Sequence, residues 1–381
     1  MPTRPDLPPV TVVLDPHDDL PHTRTAQAAH DPATGRATVH PTIGTDSTVC
    51  LAYDILAALG KPVPVTGYSR LDPVPPWAIA AAWILATPIT HLTVLRAHLL
   101  TSRRLDDLLT LRERTGVHLA LVCHRRRPTP TLERTLAATN HRLADAAAHL
   151  PGTDPTNSPH PRPGPRRGPL QDRWLNLSAL TTLCAIDGPQ RRCRCTPPLA
   201  HDRGFHPPQM PPTTAAEAAF RLHTTTAHPH LAAALATALF TAASDTQLST
   251  AHPTDLADGA ATITLHDPDG LRYGCMTHPV PPWARPLLIA ATHQHAIATG
   301  ADTPLFDTPF ATTGMPHLTN LAETCKLRPP QPPRNRPRPG RPGPAPSLSR
   351  TIWPLSNAHY RFPWAVMEDM RGCPPPSPRR R

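Results

Sequence analysis

The sequence predicts an α/β protein, with a parallel-sheet amino-terminal domain followed by a mainly helical part that includes a β-hairpin and proline-rich linkers. Three observations predict it. Ile89 to Leu95 and Val117 to Cys123 are short apolar runs with branched residues, and between them Ser102 to Thr115 sets Leu105, Leu108, Leu109 and Leu111 at helical spacing. Gly116 then follows Arg112 and Arg114, where a left-handed cap with cations in the last turn ends a helix. A strand, a helix and a second strand of these lengths form a βαβ unit, which crosses over right-handed and needs cover on both faces of its sheet. Thirdly, such elements keep alternating up to residue 150, the pattern of a doubly wound parallel sheet.

In chain order, strands are expected at Val10 to Asp15, Ala37 to Ile43, Pro64 to Tyr68, Ile89 to Leu95 and Val117 to Cys123. Helices are expected at Thr48 to Leu59 (closed by Gly60), Trp77 to Ala86, Ser102 to Thr115 and Thr131 to Leu150. Parallel sheets bind ligands beyond the carboxyl ends of their strands, which here carry Gly44 to Thr48, Tyr68 to Arg70, Arg96 to His98 and His124 to Arg127. Further on, Thr214 to Leu222, His230 to Ala243 and Pro282 to Thr299 read as helices. Thr262 to His266 and Tyr273 to Thr277 flank the turn signal Asp267-Pro268-Asp269-Gly270 and read as a hairpin.

The chain has 381 residues, enough for two domains with separate cores. Its 55 prolines concentrate in stretches that cannot supply a sheet or helix with hydrogen bonds. The expected division is an α/β domain at 1–150, a linker at 151–170, a mainly helical domain at 171–326, a disordered basic proline-rich segment at 327–349 and a tail at 350–381. The net charge is +10, yet only Lys61 and Lys326 are lysines, so the basic balance is nearly all arginine, as in proteins of GC-rich, actinobacterial-type genomes. Met1 to Pro9 is polar, Val10 to Leu14 is too short for a signal core, and Trp77 to Ile89 is too short to span a bilayer. The expectation is a cytoplasmic protein without membrane contact, whose eight cysteines are thiols or metal ligands rather than a disulfide framework.

Thr42-Ile43-Gly44-Thr45-Asp46-Ser47-Thr48 and the helix after it resemble the strand, glycine loop and helix of a P-loop ATPase. The run Leu92 to Leu100 resembles the second phosphate-site strand of the AAA-type ATPases that accompany transposition systems; together the resemblance covers roughly residues 37–124. It implies nucleotide contacts at Gly44, Thr45, Ser47 and Thr48. The chemistry of that family needs a lysine on the β and γ phosphates and acidic residues holding magnesium. Here Asp46 occupies the loop, while Leu95 and Arg96 stand at the acidic positions. A carboxylate facing phosphate repels it, so ATP is not expected as a cofactor, and the atypical ATPase is the alternative reading.

His230 to Ala291 and the following Pro304-Leu305-Phe306 resemble the opening of a tyrosine recombinase (phage integrase) catalytic domain, with Gln247-Leu248, Asp255, the hairpin, Val280-Pro281 and Leu287-Leu288 in the family's order. The family's first catalytic arginine falls at Ser244, no lysine lies in the hairpin, and the best available tyrosine for a nucleophile is Tyr360. A strand-transfer enzyme needs those cations to stabilise a pentavalent phosphate, so the expectation is no catalysis.

Two other features bear on partners. Cys184, Cys193, Cys195 and His201 could close a tetrahedral zinc site, the one cofactor the sequence suggests. Arg125, Arg126, Arg127, Arg191, Arg192, Arg334, Arg336 and Arg338 lie in the densest basic runs and suit phosphate contacts that do not read sequence. The expectation is a non-catalytic, DNA-associated accessory protein of a mobile genetic element, with that element's proteins as further partners. A zinc-stabilised protein-interaction module is the remaining alternative.

Overall fold

The structure, a computed structural model, describes residues 7–42, 46–62, 75–150, 195, 207, 209–243, 245–267, 275–298, 303–306 and 318–327. The expected strand at 64–68, both proline-rich boundaries and the tail lie outside these residues.

Five parallel strands make the sheet: β1 (Val10–Leu14), β2 (Arg36–Val39), β3 (His91–Val94), β4 (His118–Cys123) and β5 (His141–Asp145), in the order β2-β3-β4-β1-β5. β3 and β4 are direct neighbours, with His91 opposite His118 and Val94 opposite Leu121, so the expected βαβ unit is present. Its helix α4 spans Ser102–Thr115 and ends on Gly116 at φ 74°, whose amide donates to the carbonyl of Arg112. β1 and β4 read as mainly apolar runs because both faces of the sheet are covered there. Val13, Leu95 and Val122 point into a small cluster with Ala26 and Ala146, while Val12, Val94, Leu119 and Leu121 point into the main core. The first cluster is roofed by α1 (Leu20–Ala28) and α6 (Ala146–His149); the main core is roofed by α2 (Thr48–Ala58), α3 (Pro76–Ala86), α4 and α5 (Pro130–Leu136).

One expectation is corrected. The helix expected over 131–150 stops at Leu136, and the chain turns to lay β5 alongside β1, Val10 opposite His141 and Leu14 opposite Asp145. Thr129 starts α5 by accepting from the amide of Leu132, and Asp145 starts α6 by accepting from that of Ala147. β5 closes an edge of the sheet, so its polar sequence His-Arg-Leu-Ala-Asp is held by backbone pairing rather than by an apolar stripe. Arg142 adds a bond from Nε to Thr11 Oγ1 at 3.1 Å.

The later helices are α7 (Pro212–Thr225), α8 (Pro229–Thr241), α9 (Asp245–Ser249), α10 (Arg285–Ala298) and α11 (Leu318–Cys325). β6 (Thr262–Leu265) and β7 (Met276–Pro279) form the expected antiparallel hairpin. α3 is apolar all round because it is enclosed: it packs against α2 and α4, and also against α8 and α10. Trp83 within it donates from Nε1 to the carbonyl of Ala227 at 2.7 Å. One apolar core therefore runs from the sheet-side helices into α7, α8 and α10. Among the described residues no helix is long and apolar enough to cross a membrane.

Candidate functional site

The strand order dictates where the sheet opens. From β1 the chain passes through α1 to the far edge strand β2, whereas from β4 it passes through α5 to β5 on the other side of β1. Right-handed crossovers in opposite directions put their helices on opposite faces, which agrees with α1 and α5 roofing different clusters. The carboxyl ends of β1 and β4 thus part into a crevice, the place where open α/β sheets receive ligands. The residues that fill it are Asp15-Pro16-His17-Asp18-Asp19 after β1 and His124-Arg125-Arg126-Arg127 after β4, with Arg96-Ala97-His98 from the adjoining β3.

Asp15 organises this mouth. It is fully buried, and its amide donates to the carbonyl of Cys123 at 2.9 Å, tying β1 to the end of β4. Its Oδ1 accepts from the amide of Asp19 at 3.3 Å and from His22 Nδ1 at 3.2 Å, and its Oδ2 accepts from His124 Nδ1 at 3.1 Å. The same Nδ1 lies 3.1 Å from Asp18 Oδ1. His124 in turn donates its amide to His98 Nδ1 at 3.3 Å, and the two rings meet edge to face at 5.7 Å. Burial holds His98 below an ordinary imidazole; His124, Arg125 and Arg96 push the same way, and Asp18 opposes them. An imidazole that resists a proton suits the acceptor role this bond requires. Asp18 and Arg96, at φ 53° and 52°, both adopt the left-handed backbone that side chains other than glycine rarely take, and each stands just past the end of a strand at this mouth.

Two chemistries fit. Arg125, Arg126 and Arg127 are all exposed and Arg96 is half-buried, so four arginines lie on the segments that follow β3 and β4. Asp15 with Asp18 and His124, and Asp15 with Asp19 and His22, each bring three ligand atoms close enough for one cation. Oxygen and nitrogen ligands at right angles on a divalent ion stand about 3 Å apart, comparable to the separations around His124 Nδ1.

The expected glycine loop lies elsewhere. Ser47 and Thr48 sit at the start of α2, beyond the edge strand β2, with β3 and β4 between them and β1; Gly44 and Thr45 lie outside the described residues. A cation that sequence reasoning missed does reach this loop. Arg104, only 3% exposed, donates from Nε and one terminal nitrogen to the carbonyl of Ser47 at 3.1 and 3.0 Å, and from the other to that of Thr42 at 3.5 Å. Asp54 grips Thr42 through its amide and hydroxyl, both at 2.7 Å. Arg104 therefore fastens the loop's backbone. Lys61 points away from the loop, over the ring of Trp83 at 3.1 Å and onto His223 Nδ1 at 2.7 Å.

Of the zinc ligands expected from the sequence only Cys195 is described; Cys184, Cys193 and His201 lie outside the described residues, as do Arg191, Arg192, Arg334, Arg336 and Arg338. Cys195 stands next to His266 and Cys275 of the hairpin, a third group with three potential metal-ligand atoms in reach of one another. In comparisons with known proteins, no protein-family model matches the chain and no curated protein matches it.

Proposed function

We propose that the chain is a DNA-associated accessory protein that grips phosphates at the carboxyl mouth of its sheet. One observation carries the reading: Arg125, Arg126 and Arg127 leave β4 as consecutive exposed residues at the point where strand order reverses. Guanidinium groups on a loop held by a rigid sheet can contact successive phosphates without reading bases. Arg96 extends the basic rim from β3. The resemblances of residues 37–124 to a transposition ATPase and of 230–310 to an integrase support a role beside the proteins of a mobile element. The lost lysine and arginine of those two families support a role that is not catalytic.

Binding to a non-specific duplex as a function of salt tests this. Each neutralised phosphate contributes a slope of about 0.9 to log affinity against log salt, so replacing Arg125, Arg126 and Arg127 together by Ala lowers the slope by about 2 to 3. Affinity that ignores ionic strength, or a triple variant indistinguishable from the parent, overturns the proposal.

The closeness of Asp15, Asp18 and His124 favours a second reading, in which a divalent cation held there bridges carboxylate to phosphate. Manganese then strengthens binding at constant ionic strength. On the arginine-only reading it competes for phosphate and weakens it.

A further inference from the structure

The geometry points to a structural zinc site formed by Cys195, His266 and Cys275, with Asp255 orienting the histidine from behind. The hairpin prepares two of the ligands. Leu265 is paired with Met276, so in an antiparallel ladder His266 and Cys275 are the next opposed pair, at the loop end of the hairpin. Cys195, distant in sequence, brings its Sγ to 3.1 Å from His266 Nδ1, and the three ligand atoms all lie within 4.8 Å of one another. Tetrahedral zinc with its usual bond lengths sets sulfur and nitrogen ligands roughly 3.5 Å apart and two sulfurs roughly 3.8 Å apart, so the Cys195–His266 pair must open by about 0.4 Å to seat the ion.

The surroundings are those of a ligand set rather than of a chance cluster. His266 Nε2 lies 3.2 Å from Asp255 Oδ1, and Asp255 is itself fixed because its Oδ2 accepts the amide of His252 at 2.8 Å. With the carboxylate on Nε2, the imidazole presents Nδ1 as a lone pair toward the two sulfurs, the arrangement by which metal-bound histidines are aimed. The amide of Asp267 donates to Cys275 Sγ at 3.4 Å, which stabilises a thiolate there. Two soft thiolates and an imidazole select zinc over magnesium or calcium. Among the described residues three ligand atoms are in reach, and a water or a further side chain supplies the fourth.

The consequence is mechanical. A two-stranded sheet is marginal alone, and this one has four residues in each strand. An ion shared with Cys195 pins the hairpin's loop end to the chain that precedes α7. This site is separate from the sheet's mouth, so it stands or falls independently of DNA binding.

The test uses the full chain, purified reduced and metal-free, then titrated with cobalt(II) and back-titrated with zinc. Expected are one cobalt per chain, a thiolate-to-cobalt charge-transfer band, and visible bands of tetrahedral intensity that zinc erases. Cys275→Ser and Cys195→Ser should each lower the charge-transfer band to about half, since one of two thiolates remains. Asp255→Asn should keep the spectrum but weaken affinity about 10- to 100-fold. Parent protein without a thiolate band overturns the proposal, whatever the variants do. So does a band of undiminished intensity in Cys275→Ser with native circular dichroism, because the metal is then held elsewhere.

Discussion

Asp15 is the residue whose removal says most about the mouth of the sheet. Replacing it by Ala strips the acceptor from three donors at once: the amide of Asp19, His22 Nδ1 and His124 Nδ1. The His124 side chain is only 6% exposed, so water cannot readily take the place of the lost oxygen. A buried donor without a partner costs about 1–3 kcal/mol, and three donors lose theirs here. Relief from burying the carboxylate itself offsets part of this, and the expected net loss is about 3 kcal/mol. Asp15→Asn keeps the shape and one acceptor oxygen, but its amide group faces an imidazole N–H, which must change tautomer; about 1–2 kcal/mol is expected. Asp18→Asn, whose side chain is 54% exposed, should stay within about 0.5 kcal/mol. Urea unfolding followed by circular dichroism ranks the three. Asp15→Ala within about 0.5 kcal/mol of the parent would refute the reasoning, because the carboxylate would then not be the acceptor that orders the mouth.

Other outcomes follow from single sites. Burial holds Lys61 well below the usual lysine range, so the unfolded chain binds the extra proton first, and stability should rise with pH up to the ordinary lysine value of about 10.4 by at most about 1.4 kcal/mol per unit. Lys61→Met should remove that rise in unfolding measured across alkaline pH. His223 is lowered to about 4, chiefly by burial and then by Lys61, so it favours folding above pH 6.5, and that contribution is lost as pH falls from 6.5 toward 4; His223→Gln should flatten stability over this window. A Cβ on Gly35, at φ 91°, would meet the carbonyl of Pro88 at 2.3 Å, whereas one on Gly116, at φ 74°, meets nothing within 4 Å. Gly116→Ala should therefore cost about 1 kcal/mol and Gly35→Ala clearly more, as read by thermal unfolding.

The parts of the fold that were legible in the sequence are those where burial writes a pattern. β1 and β4 lie inside the sheet and read as mainly apolar runs, β3 beside them is marked by Leu92 and Val94, and α4 carries a one-sided leucine stripe with its glycine stop. β5 was not legible, because an edge strand such as His141–Asp145 is held by its backbone and has no inward stripe to announce it. The carboxyl-end rule singled out Arg96 to His98 and His124 to Arg127. It passed over Asp15, Asp18, Asp19 and His22, because which strand end faces the crevice depends on strand order, and only the pairing of β1 between β4 and β5 sets that. The acidic run directly after the first strand was the available signal. Arg104 and the partners of Cys195 share another cause. Arg104 is 57 residues from Ser47, and Cys195 is 71 from His266, so no local spacing links them.

Hydrogen exchange of the full chain with and without a saturating non-specific duplex tests the central claim most directly, since it reports where the nucleic acid sits. Grip at the mouth of the sheet predicts slowed exchange at Asp15 to His22, Arg96 to Leu99 and His124 to Arg127, with α8 and α10 unchanged. Slowed exchange that spares all three of those segments while the duplex is bound would contradict it.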